Sequence, residues 1–373
     1  MNSFFTYTAI ILVWILSFVE PSGWGTSIHL ADKVNLVIVV FSIYFFFQNS
    51  KHKLRIPDLI IFGLIVTFII LPFLTNNSFD GGSYLISFLL TYNFLHARMS
   101  PRIIKYSGIT VALMGIIVLL IYYRGNILSG WNDNAISMVG LFSFLYFSIF
   151  LVLRKGTRAF WRWNIVTLIY IYLLFNMDCR SGMLFSVISV IAIFRSDISR
   201  SFLFKKNIIL HLPLLIALCI ITISETHLFS ILNTWSIGYS GKEIFNGRND
   251  LWRTSLQLLS ESHYLGTGKF LLNYHNSGIA ALSTFGIFGY FCWISYFKFI
   301  FKQYLPYLSD SIVFGCMLSF VLIFLQQSVD LGFISPAPNR LPYMILGCGL
   351  GRIFLIRDLK KEKEYDKCNC SCI

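Results

Sequence analysis

The chain has 373 residues, of which 56% are hydrophobic, 17% aromatic and 13% charged, with a net charge of +13. Soluble globular domains carry about 25% charged residues, so this composition excludes an ordinary water-soluble fold. The positive charge would suggest nucleic acid in a soluble protein, but here its distribution along the chain gives it a topological cause and no nucleic-acid partner is expected.

Apolar runs near the ~20-residue spanning length recur from end to end. They predict an all-α, polytopic membrane bundle forming a single domain over 1–373. About twelve transmembrane helices are expected, near 4–19, 34–47, 56–74, 84–96, 103–123, 136–153, 164–177, 182–194, 208–224, 277–297, 311–327 and 342–356. Several fall short of ~20 residues, which leaves tilted, re-entrant or merged segments open. No Lys or Arg precedes the first run and no small-residue cleavage site follows it. It reads as a spanning helix rather than a removable signal peptide. The 37 Phe, 19 Tyr and 8 Trp read as lipid-facing and interfacial side chains.

Lys and Arg alternate between the loops. Segments 48–55, 97–105, 154–163, 195–206, 298–310 and 352 onward hold 22 of them, and the alternate segments, including the long interval 225–276, hold 8. The positive-inside rule places the rich side and both termini in the cytoplasm, with 357–373 as a cytoplasmic tail, and 225–276 outside. Five of the eight cysteines lie in or at the ends of apolar runs and behave as small hydrophobes. The tail Cys368, Cys370 and Cys372 lacks zinc-ligand spacing and reads as a disordered or acylated segment.

The long polar interval lies between Gly241 and Gly289. Residues 248–259 carry Leu251, Trp252, Ser255, Leu258 and Leu259 at helical spacing, which predicts an amphipathic helix at the membrane surface. Arg248 and Trp252 are four apart and share a face. Leu265-Gly266-Thr267-Gly268 is a tight return, and His275-Asn276 opens the next span. A helix followed by a turn can bring Arg248 and His275 to one pocket.

Arg180 sits in the break of a long apolar run. The halves of about fourteen residues reach roughly 21 Å, less than the ~30 Å hydrocarbon core, so Arg180 is expected near the outer rim or below it. It is either a functional cation or a helix-end arginine snorkelling to phosphates. Arginines clamp phosphate oxygens bidentately, and an imidazole can take a proton from a hydroxyl near neutral pH. A lone exterior histidine can equally serve as a structural hydrogen-bonding group.

In order, these motifs are Gly247-Arg248, Trp252, an amphipathic helix, Gly266-Thr267-Gly268, His275-Asn276 and Gly286-Ile287-Phe288-Gly289. With Cys179-Arg180-Ser181-Gly182 before them, they resemble the O-antigen polymerase and O-antigen ligase family of bacterial surface glycan assembly. Asn132-Asp133-Asn134-Ala135 is a faint counterpart of a third family element. The resemblance covers roughly 176–290, the expected catalytic region; the flanking helices agree only in number and hydropathy. The chain departs from the family in having His263-Tyr264 where proline is usual before the turn, and Cys179 where Ser or Thr is common.

The resemblance implies a metal-independent glycosyltransferase without a cofactor. Its donor would be a glycan on undecaprenyl diphosphate at the outer face of the bacterial cytoplasmic membrane, and its acceptor a sugar hydroxyl. Arg180 and Arg248 would hold the diphosphate and His275 would handle the acceptor proton. Arg253, Lys269, Asn276, Trp252 and Arg340 are further candidates for substrate contact. The short Arg248-to-His275 interval favours a polymerase of O-antigen or capsule repeat units, with a chain-length regulator and a flippase as partners. A ligase transferring glycan to lipid A–core is the alternative in the same class. A polysaccharide or small-molecule transporter is the alternative of another class, although no half-repeat and no string of charged groups within spans is evident.

Overall fold

Backbone N–H and C=O groups in hydrocarbon must be satisfied within their own segment or by packed protein, which favours helices in so apolar a chain. The computed structural model describes residues 3–19, 56–79, 81–95, 97, 99–123, 133–177, 179–241, 243–272, 274–330 and 339–370, and among them there are helices and no strands. The helices are α1 Ser3–Val19, α2 Asp58–Asn76, α3 Gly82–Phe94, α4 Pro101–Tyr123, α5 Asp133–Arg154, α6 Arg158–Phe175 and α7 Arg180–Phe194. They continue as α8 Ser196–Leu203, α9 Lys206–Ile223, α10 His227–Ser240, α11 Arg248–Glu261, α12 Ser277–Tyr304, α13 Ser311–Gln326 and α14 Leu341–Cys370.

Eleven of the expected apolar segments fall on these helices; the segment 34–47 lies outside the described residues. By length and composition, four described helices qualify as membrane crossings, or six if each of two bent pairs is one span. The expectation of about twelve crossings goes beyond that number. One reason is bending: α8 turns 101° from α7, and α10 turns 95° from α9. Another is brevity, since α1 and α13 have 17 and 16 residues. The C-terminal segment also differs from the disordered tail expected, because α14 runs unbroken to Cys370. Lys and Glu recur there, and both are strong helix formers.

The bundle is built around α5, whose apolar window is 94% buried and which packs against α4, α6, α7 and α13. Small hydroxyls join the helices where lipid offers no hydrophobic drive for association. Trp14 Nε1 donates to Ser143 Oγ at 2.7 Å, tying α1 to α5. Ser319 Oγ donates to the Leu145 carbonyl at 2.7 Å, tying α13 to α5.

α12 is broken at Gly286, whose φ of +72° and ψ of −177° interrupt the helix. Leu265-Gly266-Thr267-Gly268 occupies the break. Thr267 N and Gly268 N donate to the Ser283 and Thr284 carbonyls, each at 2.8 Å, and Ile287 N donates to the Tyr264 carbonyl at 3.1 Å. A polar backbone opened within a buried helix is thereby satisfied by the return loop. Asn76 Nδ2 donates to the Thr267 carbonyl at 2.5 Å and holds the loop to the end of α2.

The two ends of the bundle differ. At one end Lys155 Nζ donates to the Phe194 carbonyl and Ser196 Oγ, and Arg352 grips Asp310 Oδ2 at 2.7 and 3.1 Å. Arg200 lies over the Phe314 ring at 4.8 Å. These contacts gather segments 154–163, 195–206 and 298–310 with the middle of α14. The opposite end gathers the starts of α5, α7, α11 and α12 with the end of α13.

Candidate active site

At that second end a cavity of about 410 Å³ is lined by Asn134, Asn246, Gly247, Arg248, Leu251 and His275. Three helices begin at its wall. Asn134 lies in the first turn of α5, Gly247 and Arg248 open α11, and His275 immediately precedes the cap of α12. Helix N-termini present free N–H groups and a partial positive charge of roughly +0.5 each. Gly247 caps α11 without a side chain, so the first turn of that helix keeps donors for a ligand. With the Arg248 guanidinium on the same wall, the cavity suits an anion.

The chain reaches this geometry through left-handed backbone. Asn246, Gly247 and His275 have φ of 49°, 71° and 48°. Asn and Gly tolerate that region readily. For His275 the conformation is unusual, and the neighbouring residue maintains it. Asn276 caps α12, its Oδ1 accepting from Ile279 N at 2.9 Å. Asn276 Nδ2 donates to the carbonyls of Pro213 and Ser328, both at 2.8 Å. Ser277 N donates to the Gln327 carbonyl at 2.9 Å. These bonds fasten the start of α12 to α9 and to the end of α13, and His275 is held at their edge.

Behind His275 lies Asp330, a carboxylate only 4% exposed. His275 Nδ1 is 3.8 Å from Asp330 Oδ1, an ion-pair separation rather than a hydrogen bond. Ser181 Oγ and Gln326 Nε2 donate to Asp330 Oδ2 at 3.0 and 3.2 Å. Arg248 Nη1 donates to the carbonyl of Val329, the residue before it. The turn after α13 therefore gathers Ser181 from α7, Arg248 from α11 and His275 from the start of α12.

Arg180 is next to this cluster and does not line the cavity. It is exposed, and its Nη1 donates to the Glu243 and Ile244 carbonyls at 3.3 Å each. It thus holds the loop that leads to Asn246. Trp252 is fully buried; its Nε1 donates to the Tyr274 carbonyl at 2.6 Å, immediately before His275. Arg253 points elsewhere, paired with Glu225 at 3.2 Å and Asp250 at 3.6 Å and bonded to Ser224 Oγ. Lys269 is exposed on the return loop. Arg340 is buried at the start of α14, with Nη1 donating to Ser87 Oγ at 3.2 Å. Arg248 and His275 are thus brought to one cavity, and Asn276 and Trp252 support its wall from behind.

Sequence reasoning gave no role to Asp330 or Gln326, and it named Ser181 only within the Cys179-Arg180-Ser181-Gly182 motif. Asp330 carries a signal in retrospect: it is the one carboxylate between Asp310 and Asp358, close after an apolar helix, where a charge is costly without a purpose. Among the described residues no group of three His, Cys, Asp or Glu is arranged to hold a metal ion. The chain matches no protein-family model, no curated protein and no solved structure.

Proposed function

We propose that the protein is a membrane-embedded glycosyltransferase that polymerises lipid-linked repeat units of a surface polysaccharide at the outer face of the bacterial cytoplasmic membrane. The observation that carries this reading is the single cavity lined by both Arg248 and His275, with the Asp330 carboxylate beside the imidazole. Such a set fits an anionic leaving group and a hydroxyl nucleophile. The acceptor hydroxyl attacks the anomeric carbon of the donor, the bond from that carbon to the diphosphate oxygen breaks, and undecaprenyl diphosphate leaves with the electron pair. His275 takes the hydroxyl proton, and Asp330 stabilises the imidazolium that results. Arg248 and the helix N-termini offset the charge growing on the diphosphate. Arg180 adds a cation beside the same loop. In this reading the chain crosses the membrane about twelve times, with the cation-rich end and both termini in the cytoplasm.

The test replaces Arg248 or His275 with Ala in the full chain, verifies membrane levels, and resolves the cell's surface glycan on a gel. Both variants are expected to lose the long-chain ladder. A wild-type ladder from both would overturn the assignment. Deleting the gene separates polymerase from ligase: single repeat units attached to the acceptor mark a lost polymerase, and polymer stranded on the lipid carrier marks a lost ligase.

A further inference from the structure

α10 has three distinct faces. Leu228, Leu232, Trp235 and Tyr239 recur at helical spacing and form one exposed apolar stripe, with Trp235 72% and Tyr239 97% exposed. His227, Ser230 and Thr234 lie on a polar face to one side. On the remaining face Asn233 Oδ1 accepts from Ile244 N at 2.9 Å, and Phe229 stacks on Phe245 at 5.6 Å. That third face therefore holds the loop that Arg180 clasps and that continues into Asn246 on the cavity wall.

We infer that α10 lies in the plane of the membrane surface and docks its Leu228–Tyr239 stripe into the lipid headgroup boundary, so that the bilayer itself seats one wall of the cavity. Three observations select lipid as the occupant. α10 leaves the apolar helix α9 at 95°, so if α9 crosses the membrane α10 runs along its surface. α9 likewise leaves apolar side chains uncovered, at Leu215, Leu218 and Ile223. Its outermost members are Trp and Tyr, the residues whose amphipathic rings favour headgroup depth. The stripe has no Lys or Arg, so docking depends on apolar insertion and not on anionic lipid. The inference requires that the chain resides in a membrane with α9 crossing it, and it holds whether or not the cavity transfers sugars.

The test reconstitutes the full chain and its Trp235→Phe variant in phosphatidylcholine vesicles containing lipid brominated either near the headgroup or near the chain end. The fluorescence difference between the two proteins isolates Trp235, and an exposed Trp-to-Phe change leaves the fold intact. With the stripe inserted ~5–10 Å into the boundary, the Trp235 signal is expected to be quenched about twofold more by the shallow label. The same quenching is expected when a third of the lipid is replaced by phosphatidylglycerol. A Trp235 signal untouched by either label would mean that water, a second copy or another protein covers the stripe, and would overturn the inference. Stronger quenching by the deep label, or quenching confined to anionic vesicles, would overturn it as well.

Discussion

Replacing Gly286 with alanine should be strongly destabilising, and its sign separates a broken helix from a continuous one. In an unbroken α12 the change would stabilise, because Ala exceeds Gly in helix interiors by about 0.5–1 kcal/mol. In the structure a Cβ at Gly286 would lie 2.4 Å from the Leu265 carbonyl oxygen and 2.6 Å from that of Tyr264. Both are backbone atoms of a loop that cannot withdraw without losing its own bonds. The φ/ψ region costs an L-residue about 1–3 kcal/mol. Releasing the three backbone bonds of the return loop removes about 0.5–1.5 kcal/mol each. The total is roughly 3–7 kcal/mol against a typical stability of about 5–15 kcal/mol. Two other glycines calibrate the measurement. Gly247 has φ +71° with no atom within 4 Å of a Cβ, so Gly247→Ala costs only the left-handed backbone, about 1–2 kcal/mol. Gly238 lies within α10 in open space, and Gly238→Ala should gain up to about 1 kcal/mol. Melting of the purified full chains in detergent should rank Gly238→Ala highest, Gly247→Ala below wild type, and Gly286→Ala lowest by a wide margin. If Gly286→Ala melts with or above Gly247→Ala, the interlocked break is absent and the reasoning fails.

Asn276→Asp changes one atom of the helix cap. It keeps the acceptor for Ile279 N but turns the donor to Pro213 and Ser328 into a carboxylate oxygen facing two carbonyls, a loss of roughly 3 kcal/mol or more; melting indistinguishable from wild type would refute the cap's role as the fastening of α12. Asp330→Asn keeps the shape of the side chain behind His275 while removing its charge. Sugar transfer measured in membranes with labelled donor should fall about ten- to hundredfold, a share of the 10²–10⁴ typical of acid–base assistance, with melting little changed. An undiminished rate would remove Asp330 from the proposed chemistry.

Most helices were legible because apolar length is a strong signal in a chain this hydrophobic. The start of α6 was not, since Arg158, Trp161 and Arg162 read as a charged loop. In the structure Thr157 Oγ1 caps the helix by accepting from Phe160 N, and the first turn lies at the cation-rich end. Bends are harder still. Ser224-Glu225-Thr226 separates α9 from α10 by three residues, and nothing in hydropathy distinguishes a 95° turn there from a short exterior loop. The break at Gly286 is invisible to periodicity because a single residue leaves helical geometry. Arg248 and His275 could be brought together on paper because a helix and a turn join them. The link from His275 to Ser181 could not, because it passes through Asp330, 149 residues from Ser181, and sequence separation of that size carries no distance.

The position of the polar groups reflects the energetics of the bundle. A charge or an open backbone group in hydrocarbon is tolerated only where protein satisfies it or water reaches it. Several polar groups near the cavity satisfy that requirement with a specific partner. The carbonyls freed at Gly286 receive the N–H groups of Thr267 and Gly268. The Pro213 carbonyl inside α9 receives the Asn276 amide, and the Asp330 carboxylate receives Ser181 and Gln326. The polar groups that line the cavity itself lie at the helix starts of α5 and α11 and on the imidazole of His275. With the irregular backbone already paired, those groups can meet a charged ligand without dismantling the fold. The glycines, the asparagine cap and the buried carboxylate are in this sense one device: they allow an otherwise apolar bundle to keep a cavity at its rim, which the proposed chemistry fills with an anion.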